Sequence, residues 1–439
     1  MPGFPALLAF ITLCFTIACA KPPVQASTSG EFLLVYSGNT LGELKPCGCS
    51  GEEDQGGIEK RMTYLKKTRA ENKHMVLVDT GDNFDAPTRQ GKIKARYLIE
   101  SMQAMNYDAV LTGDKDYLYG EKFLIDRGPL PWLGSNFKHD AIPFAPAKIK
   151  KFDNGIKLAL LAVGDPELYY AAHSSQLHIG DPEEAVRSSV QALQKSEAPD
   201  IIVLMTHMTR DRALPFLDID GVHIVVNGNI ESAEDVIDMK AVRKDGKIFA
   251  QTSPRGQKMG EIRVQIGADG SLDFKHQMVP LASKFEFDPA MSELYARYNE
   301  EVEGLFFETM AARRDKNKNK RFASSKVCKN CHSEAYKTWK NSRHGHAYDT
   351  LVKVNKSFDP ECLACHVVGL NQDGGFVSEI DTPELKNVQC ENCHGDGAGH
   401  AQSPQAGFGR NANAACKNCH SSDHSPKFNF NAYWPKIKH

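Results

Sequence analysis

One short pattern, C-x-x-C-H, occurs four times in the last third of the chain. The copies are Cys328-Lys-Asn-Cys331-His332, Cys362-Leu-Ala-Cys365-His366, Cys390-Glu-Asn-Cys393-His394 and Cys416-Lys-Asn-Cys419-His420. Two thiols at this spacing can add across the vinyl groups of a porphyrin while the adjacent imidazole binds its iron from one face. Paired Cys₄ zinc ribbons compete for C-x-x-C repeats. They need no histidine after the second cysteine, yet all four copies have one, and every cysteine beyond Cys49 falls inside a motif. The spacing therefore predicts four covalently bound c-type haems. The thioethers would form at Cys328, Cys331, Cys362, Cys365, Cys390, Cys393, Cys416 and Cys419, and His332, His366, His394 and His420 would be the proximal ligands.

Five further histidines lie in the same region: His344, His346, His400, His424 and His439. A second imidazole on the iron gives a six-coordinate centre suited to electron transfer, whereas an open face admits a small ligand. His344, His346, His400 and His439 are the candidate distal ligands. His424 follows a proximal histidine closely and reads as a surface residue. Spacing alone does not assign a distal histidine to each haem.

At 439 residues the chain is long enough for two or three domains. Its formal net charge of -2 gives no electrostatic case for nucleic acid. Residues 6–18 form an apolar run too short to span a bilayer comfortably, and residues 1–20 read as a secretory signal. Two cleavage readings compete. Ala18-Cys19-Ala20 is a small-residue peptidase site, and Thr16-Ile17-Ala18-Cys19 resembles a lipoprotein box with Cys19 lipidated, although Thr16 stands where Leu is usual. Either way the expected location is the periplasm or outer surface of a bacterium, with a lipid anchor in the second case. Redox-partner proteins or a quinol-linked reductase are the expected partners.

Residues 21–30 are rich in Pro, Ser and Thr and read as a tether. Over residues 31–285 short apolar strands alternate with amphipathic helices, which argues an α/β domain. Strands are predicted at 32–37, 75–79, 109–112, 157–163, 201–206, 222–226, 247–251 and 261–265, and helices at 58–70, 92–105 and 183–196. A helical linker covers 286–321, and residues 322–439 form the Cys- and His-rich haem segment, expected to be mainly α or irregular.

Residues 33–281 resemble the 5′-nucleotidase branch of the calcineurin-like metallophosphoesterases. Tyr36-Ser-Gly-Asn39-Thr-Leu41-Gly42 stands where that family has H-T-N-D-x-H-G. Gly56-Gly57 with Arg61, Tyr64 and Leu65, Leu77-Val-Asp79-Thr-Gly81-Asp82, Gly113-Asp114-Lys115-Asp116, Thr206-His207-Met208 and Asn227-Gly228-Asn229-Ile230-Glu231 follow in family order. The resemblance implies an α/β four-layer sandwich and a dinuclear metal site. At the implied ligand positions only Asp82 and His207 survive. Asn39 and Leu41 replace Asp and His, Asp114 and Lys115 replace Asn and His, and Asn229 and Glu231 replace two histidines. A leucine cannot ligate, and a lysine ammonium repels a cation. The site thus reads as degenerate, with no divalent metal expected and Lys115 supplying the missing positive charge. Asp82, Asp114, His207 and Glu231 could still hold one ion.

Residues 326–439 resemble the cytochrome c554 family of multihaem cytochromes. The likeness rests on the first motif with Trp339-x-x-Ser342-x-His344-x-His346-Ala347, on Val388-Gln-Cys390-Glu-Asn-Cys393-His394-Gly395 with His400, and on the close from Ser425 to His439. It implies a mainly α or irregular multihaem domain in which one iron can stay open. Cys47 and Cys49, in the first loop of the α/β domain, have three readings: a strained disulfide, a pair binding metal or a sulfur substrate, or two buried thiols. Outside the cytoplasm a redox-active pair is favoured.

Three functions remain open on the sequence. The first is exported electron transfer through four haems, with the phosphoesterase-like domain as scaffold. The second is oxidation or reduction of a small nitrogen or sulfur compound at an open haem. The third is hydrolysis of a phosphate ester or sulfur compound coupled to a haem relay.

Overall fold

The computed structural model describes residues 29–46, 54–169, 176–230, 240–318, 320–409, 412–421, 425 and 427–439. The expected signal segment with Cys19, most of the tether, the pair Cys47 and Cys49, and Glu231 and His424 all lie outside these residues.

The strands are β1 (Gly30–Ser37), β2 (Met75–Asp79), β3 (Ala109–Val110), β4 (Phe137–Lys138), β5 (Lys148–Lys151), β6 (Lys157–Gly164) and β7 (His178–Ile179). They continue as β8 (Ile201–His207), β9 (Ile224–Asn227), β10 (Val242–Lys244), β11 (Lys247–Gln251), β12 (Lys258–Ile266) and β13 (Leu272–Pro280). Two larger sheets result, with orders β13-β12-β1-β2-β3 and β10-β11-β9-β8-β6-β5. Within them β1, β2 and β3 run parallel, as do β6, β8, β9 and β11.

Alternation along β6 shows how the layers form. Leu158, Leu160 and Ala162 join the core shared with β1 and β2, whereas Ala159, Leu161 and Val163 face a second core with Val186, Val190 and Leu193. A strand projects successive side chains to opposite faces, so both faces of this sheet must be covered. Helix α4 (Pro182–Ser196) covers the outer face. Over the other sheet lie α1 (Ile58–Glu71) and α2 (Arg89–Met105), which contribute Ile58, Met62, Leu65, Leu98 and Met102 to the first core. The architecture is helix–sheet–sheet–helix. Short helices α3 (Glu121–Asp126) and α5 (Arg210–Ala213) lie in the connections.

Helix α6 (Pro289–Glu308) packs Met291, Leu294, Tyr298 and Val302 into the first core, and α7 (Met310–Lys316) extends it toward the C-terminal segment. The starts of α4 and α6 share one chemistry: Asp181 accepts the Glu184 N–H at 2.7 Å, Asp288 accepts the Ala290 N–H at 3.1 Å, and proline follows each. The acid satisfies an orphan donor, and proline fits the first helical position, which needs none.

Beyond residue 320 the helices are short: α8 (Ser325–Cys328), α9 (Ser333–Lys340), α10 (Ala347–Lys353), α11 (Pro360–His366), α12 (Cys390–His394), α13 (Ala398–Gln402) and α14 (Phe430–Tyr433). The apolar residues Tyr348, Leu351, Phe358, Leu363, Val367 and Phe376 continue the first core into this segment. Polar contacts join it to the α/β domain at the start of α11. Gln90 Nε2 donates to Asp359 Oδ1 at 2.8 Å, Lys94 pairs with Glu361 at 2.5 Å, and Lys356 bridges Asn299 and Asp359 at 2.8 and 2.9 Å. Burial disfavours a charged Asp359, yet the Lys356 ammonium, the Gln90 bond and Lys94 hold it below the usual carboxylate range.

Candidate haem sites and the remnant metal site

The four motif histidines sit at or just past the ends of short helical turns, so each imidazole follows its two thiols by less than one further turn. Three of them face a second imidazole. Ring centroids are 6.3 Å apart for His332 and His400, 6.1 Å for His344 and His420, and 5.8 Å for His394 and His439. An iron between two imidazoles needs about 6 Å, from about 2 Å per metal–nitrogen bond and about 1 Å from nitrogen to centroid on each side. The three separations therefore match the span of a bis-histidine haem.

His366 has no such partner among the described residues. His344 lies near it electrostatically but faces His420. His346 has no proximal histidine opposite it, and its Nδ1 lies 3.7 Å from Asp349. The sequence ranked His346 alongside His344, because two histidines two residues apart are indistinguishable until the backbone turns.

Hydrogen bonds orient the rings. His366 Nδ1 donates to Ala347 O at 2.7 Å, His394 Nδ1 to Gly409 O at 2.9 Å and His439 Nδ1 to Ile437 O at 2.9 Å, which leaves Nε2 as the lone-pair nitrogen. His420 Nδ1 pairs with Ser425 Oγ at 3.1 Å. His400 differs: its Nδ1 accepts the Gln405 N–H at 3.2 Å, so ligation through Nε2 requires that contact to open.

The motif thiols meet across motifs. Cys328 lies close to Cys390, Cys365 close to Cys419, and Cys393 within electrostatic reach of Cys416. A cavity of about 520 Å³ opens beside Cys365 and Cys419, lined in part by Arg321, Phe322, Val368 and Asn392. Two residues inside the third motif, which spacing arguments treat as fillers, hold the others in place. Glu391 accepts N–H bonds from Ala323, Ser324 and Gly397 at 2.8, 2.9 and 2.7 Å, and Asn392 Nδ2 donates to Val367 O at 2.9 Å. The only sequence signal was an acid placed where a solvent-facing residue would serve. Trp339 Nε1 donates to Val388 O at 2.6 Å and ties α9 to the same motif. Phe428 stacks on the His420 ring at 4.6 Å.

In the α/β domain Asn39, Asp82, Asp114, His207 and Asn229 converge where parallel strands of the two sheets end. This is the usual place for a site in such sheets. Asn39, Leu41, Asp82 and Asn229 all have φ between 46 and 57°, a strained conformation for non-glycine residues. A Cβ on Gly81 would collide with the Gly113 backbone, and one on Gly113 with Asp82, so glycine is required where these two loops touch.

The contents of the site are largely paired internally. Lys115 Nζ donates to Asp82 Oδ2 at 2.5 Å, and His207 Nε2 lies 3.1 Å from Asp114 and 3.4 Å from Asp82. His207 Nδ1 donates to Thr80 O at 2.9 Å. Burial disfavours the imidazolium, but Asp82 and Asp114 raise its pKa, and Lys115 is likewise raised by Asp82 against its own burial. Asp114 is held low by His207 and Lys115 despite burial. The Asp82 and Asp114 carboxylates thus face the Lys115 ammonium and the His207 ring. Asn39 has become structural, donating to Thr252 Oγ1 at 2.6 Å and accepting the Ile230 N–H at 3.3 Å. Asp82, Asp114 and His207 still offer ligand atoms within 4.8 Å of one another, so one ion has donors here if the Lys115 ammonium moves aside.

The two-sheet fold with its site at the strand ends is that of the calcineurin-like phosphoesterases. It matches the crystal structure of a 5′-nucleotidase precursor from Thermus thermophilus with TM-score 0.54 and 19% identity, covering 63% of this chain and 60% of that one. A snake venom 5′-nucleotidase of Crotalus adamanteus is 29% identical over 154 residues, 34% of this chain and 24% of that protein. Residues 327–395 match the family model for cytochrome c554 and c-prime. Cytochrome c-554 of Nitrosomonas europaea is 34% identical over 104 residues, 19% of this chain and 44% of that protein. The chain spans less than half the length of these two curated relatives. It joins a phosphoesterase-like α/β domain to a segment of the cytochrome c554 kind, for which c-type haem is the implied cofactor.

Proposed function

We propose that this chain is an exported electron-transfer protein with four haems, three closed by a second histidine and one open. The observation that carries the reading is the histidine pairing: His332 with His400, His420 with His344, His394 with His439, and none for His366 among the described residues. Bound haem supplies reversible one-electron chemistry at each motif. The polypeptide would set the order. The proximity of Cys328 to Cys390, of Cys393 to Cys416 and of Cys419 to Cys365 would give the sequence first–third–fourth–second motif. The phosphoesterase-like domain would act as a scaffold, because Lys115 neutralises the carboxylates a metal would need. Export is supported by residues 6–18 and by the thioether chemistry itself.

A second reading, turnover of a small nitrogen or sulfur compound, is favoured by the second motif alone. There Cys362 lies next to Glu361, which pairs with Lys94 of the α/β domain, so an open iron would stand close to the interdomain contact. Electron paramagnetic resonance of the oxidised protein, with carbon monoxide titration of the reduced form, tests both readings. One high-spin and three low-spin centres with one carbon monoxide bound are expected. Four low-spin centres and no carbon monoxide binding would remove the open site, and a protein without covalent haem would remove the proposal.

A further inference from the structure

The segment around the first motif carries Lys326, Lys329, Lys337, Lys340 and Arg343, with Glu334 as the only acid between Lys326 and Arg343. All five basic residues are exposed. Among the described residues none of them has a carboxylate within ion-pair distance, although other cations nearby are paired: Arg314 with Asp381 at 3.0 Å, Arg321 with Asp396 at 2.6 Å and Lys386 with Glu379 at 2.8 Å. Lys337 and Lys340 are three apart on α9 and share a face. The same segment holds Cys331, which is exposed while the other seven motif cysteines are half-buried. Its companion Cys328 is half-buried, its Sγ 3.5 Å from Ser324 O. The first motif thus lies inside a cluster of positive charge that no carboxylate among the described residues pairs.

From this arrangement we infer that the surface around Cys331 is the docking site for an acidic electron-transfer protein. The inference rests on the proposed relay, in which the first motif is the end remote from the second. Electron transfer needs close approach of two redox centres, and the first motif stands at one end of that relay. Unpaired cations around that edge would raise the encounter rate with a negatively charged partner and orient it, through a small, salt-sensitive contact. The chain as a whole is slightly acidic, at -2, so the positive charge is local rather than general. An anionic lipid surface would call for an apolar stripe beside the cations. Within residues 326–343 Val327 is the only exposed large hydrophobe.

The test uses the full holoprotein, reduced, and a triple variant Lys326→Glu, Lys337→Glu, Lys340→Glu, with Lys195→Glu on α4 as a remote control. Each ferrous haem passes one electron to hexacyanoferrate(III), which becomes hexacyanoferrate(II), in a stopped-flow mixer. At ionic strength of about 0.01 M the triple variant should react about tenfold more slowly than wild type, and the difference should vanish near 1 M, where charges are screened. Oxidation by cationic tris(phenanthroline)cobalt(III) should change in the opposite sense. Poly-L-glutamate should slow wild type and not the variant, and the control should match wild type. Equal rates in wild type and triple variant, with haem content and potentials unchanged, overturn the docking site and leave the relay standing. Retention of wild type on phosphatidylglycerol vesicles with no effect of poly-L-glutamate also overturns it. Loss of covalent haem in wild type overturns the relay and the inference with it.

Discussion

Truncating Lys115 to alanine should reveal how the α/β domain balances its buried charge. Lys115 Nζ stands 2.5 Å from Asp82 Oδ2; the Asp82 side chain is fully buried and that of Lys115 is 35% exposed. Breaking a fully buried pair costs about 3–5 kcal/mol. Solvent screening of the part-open ammonium lowers this to about 2–3 kcal/mol. For a domain of this size the loss corresponds to a fall in Tm of about 5–10 °C. The same truncation removes the cation that repels a metal, so Asp82, Asp114 and His207 become available as ligands. Manganese at about 100-fold its Kd should then restore about 2.7 kcal/mol to the variant and leave wild type unmoved. Far-ultraviolet circular dichroism of the holoprotein during heating, with and without manganese, reads both effects, and elemental analysis after desalting counts the bound ion. Stoichiometric metal in wild type, or a variant as stable as its parent and indifferent to manganese, refutes the idea that an ammonium has taken the cation's place.

Replacing His439 with alanine should convert the third-motif centre to high spin and add one carbon monoxide site, and His346→Ala should leave the resonance spectrum unchanged; the reverse result would reassign the ligand. Glu391→Ala orphans three N–H groups, two of them buried, at about 1–3 kcal/mol for each buried one, and should lower the haem-to-protein ratio measured as the pyridine haemochrome. A fully loaded variant would show that Glu391 is dispensable. The folded pKa of Asp359 is depressed, so its stabilisation is full above the unfolded value of about 3.9 and is lost as pH falls through the lower folded value. Hydrogen exchange in α2 and α11 should accelerate below about pH 4, and Asp359→Asn should abolish that step.

The α/β alternation was legible because each element is announced by a few consecutive residues. The stretches 75–79 and 247–251 carry apolar runs, Met75 to Val78 and Ile248 to Ala250, and both form strands with those bounds. The edge strand β13 was not anticipated. Lys275, His276 and Gln277 break its apolar pattern, and it is held chiefly by its hairpin pairing with β12. Strand β9 begins at Ile224 rather than Val222, because Val222 and His223 complete the preceding turn, with the Val222 N–H donating to Ile219 O.

Chemistry encoded within five residues, two thiols and an imidazole, needs no tertiary information, and so the haem motifs stand out in the bare chain. That Leu41 cannot ligate a metal is equally plain, because a side chain that lacks a donor atom lacks it in any fold, whereas Asn39 keeps a carbonyl oxygen and only folding shows it turned to the Ile230 N–H. Which histidine faces which motif was decided only by packing, since His332 and His400 meet across most of the haem segment while neighbouring His346 turns away. The position of the Lys115 ammonium between two strand ends, and the anchoring of three backbone donors by Glu391, were likewise set by chain folding. Local spacing specifies what a residue can bind, whereas contacts between distant segments depend on how the intervening chain closes, and no short pattern encodes that.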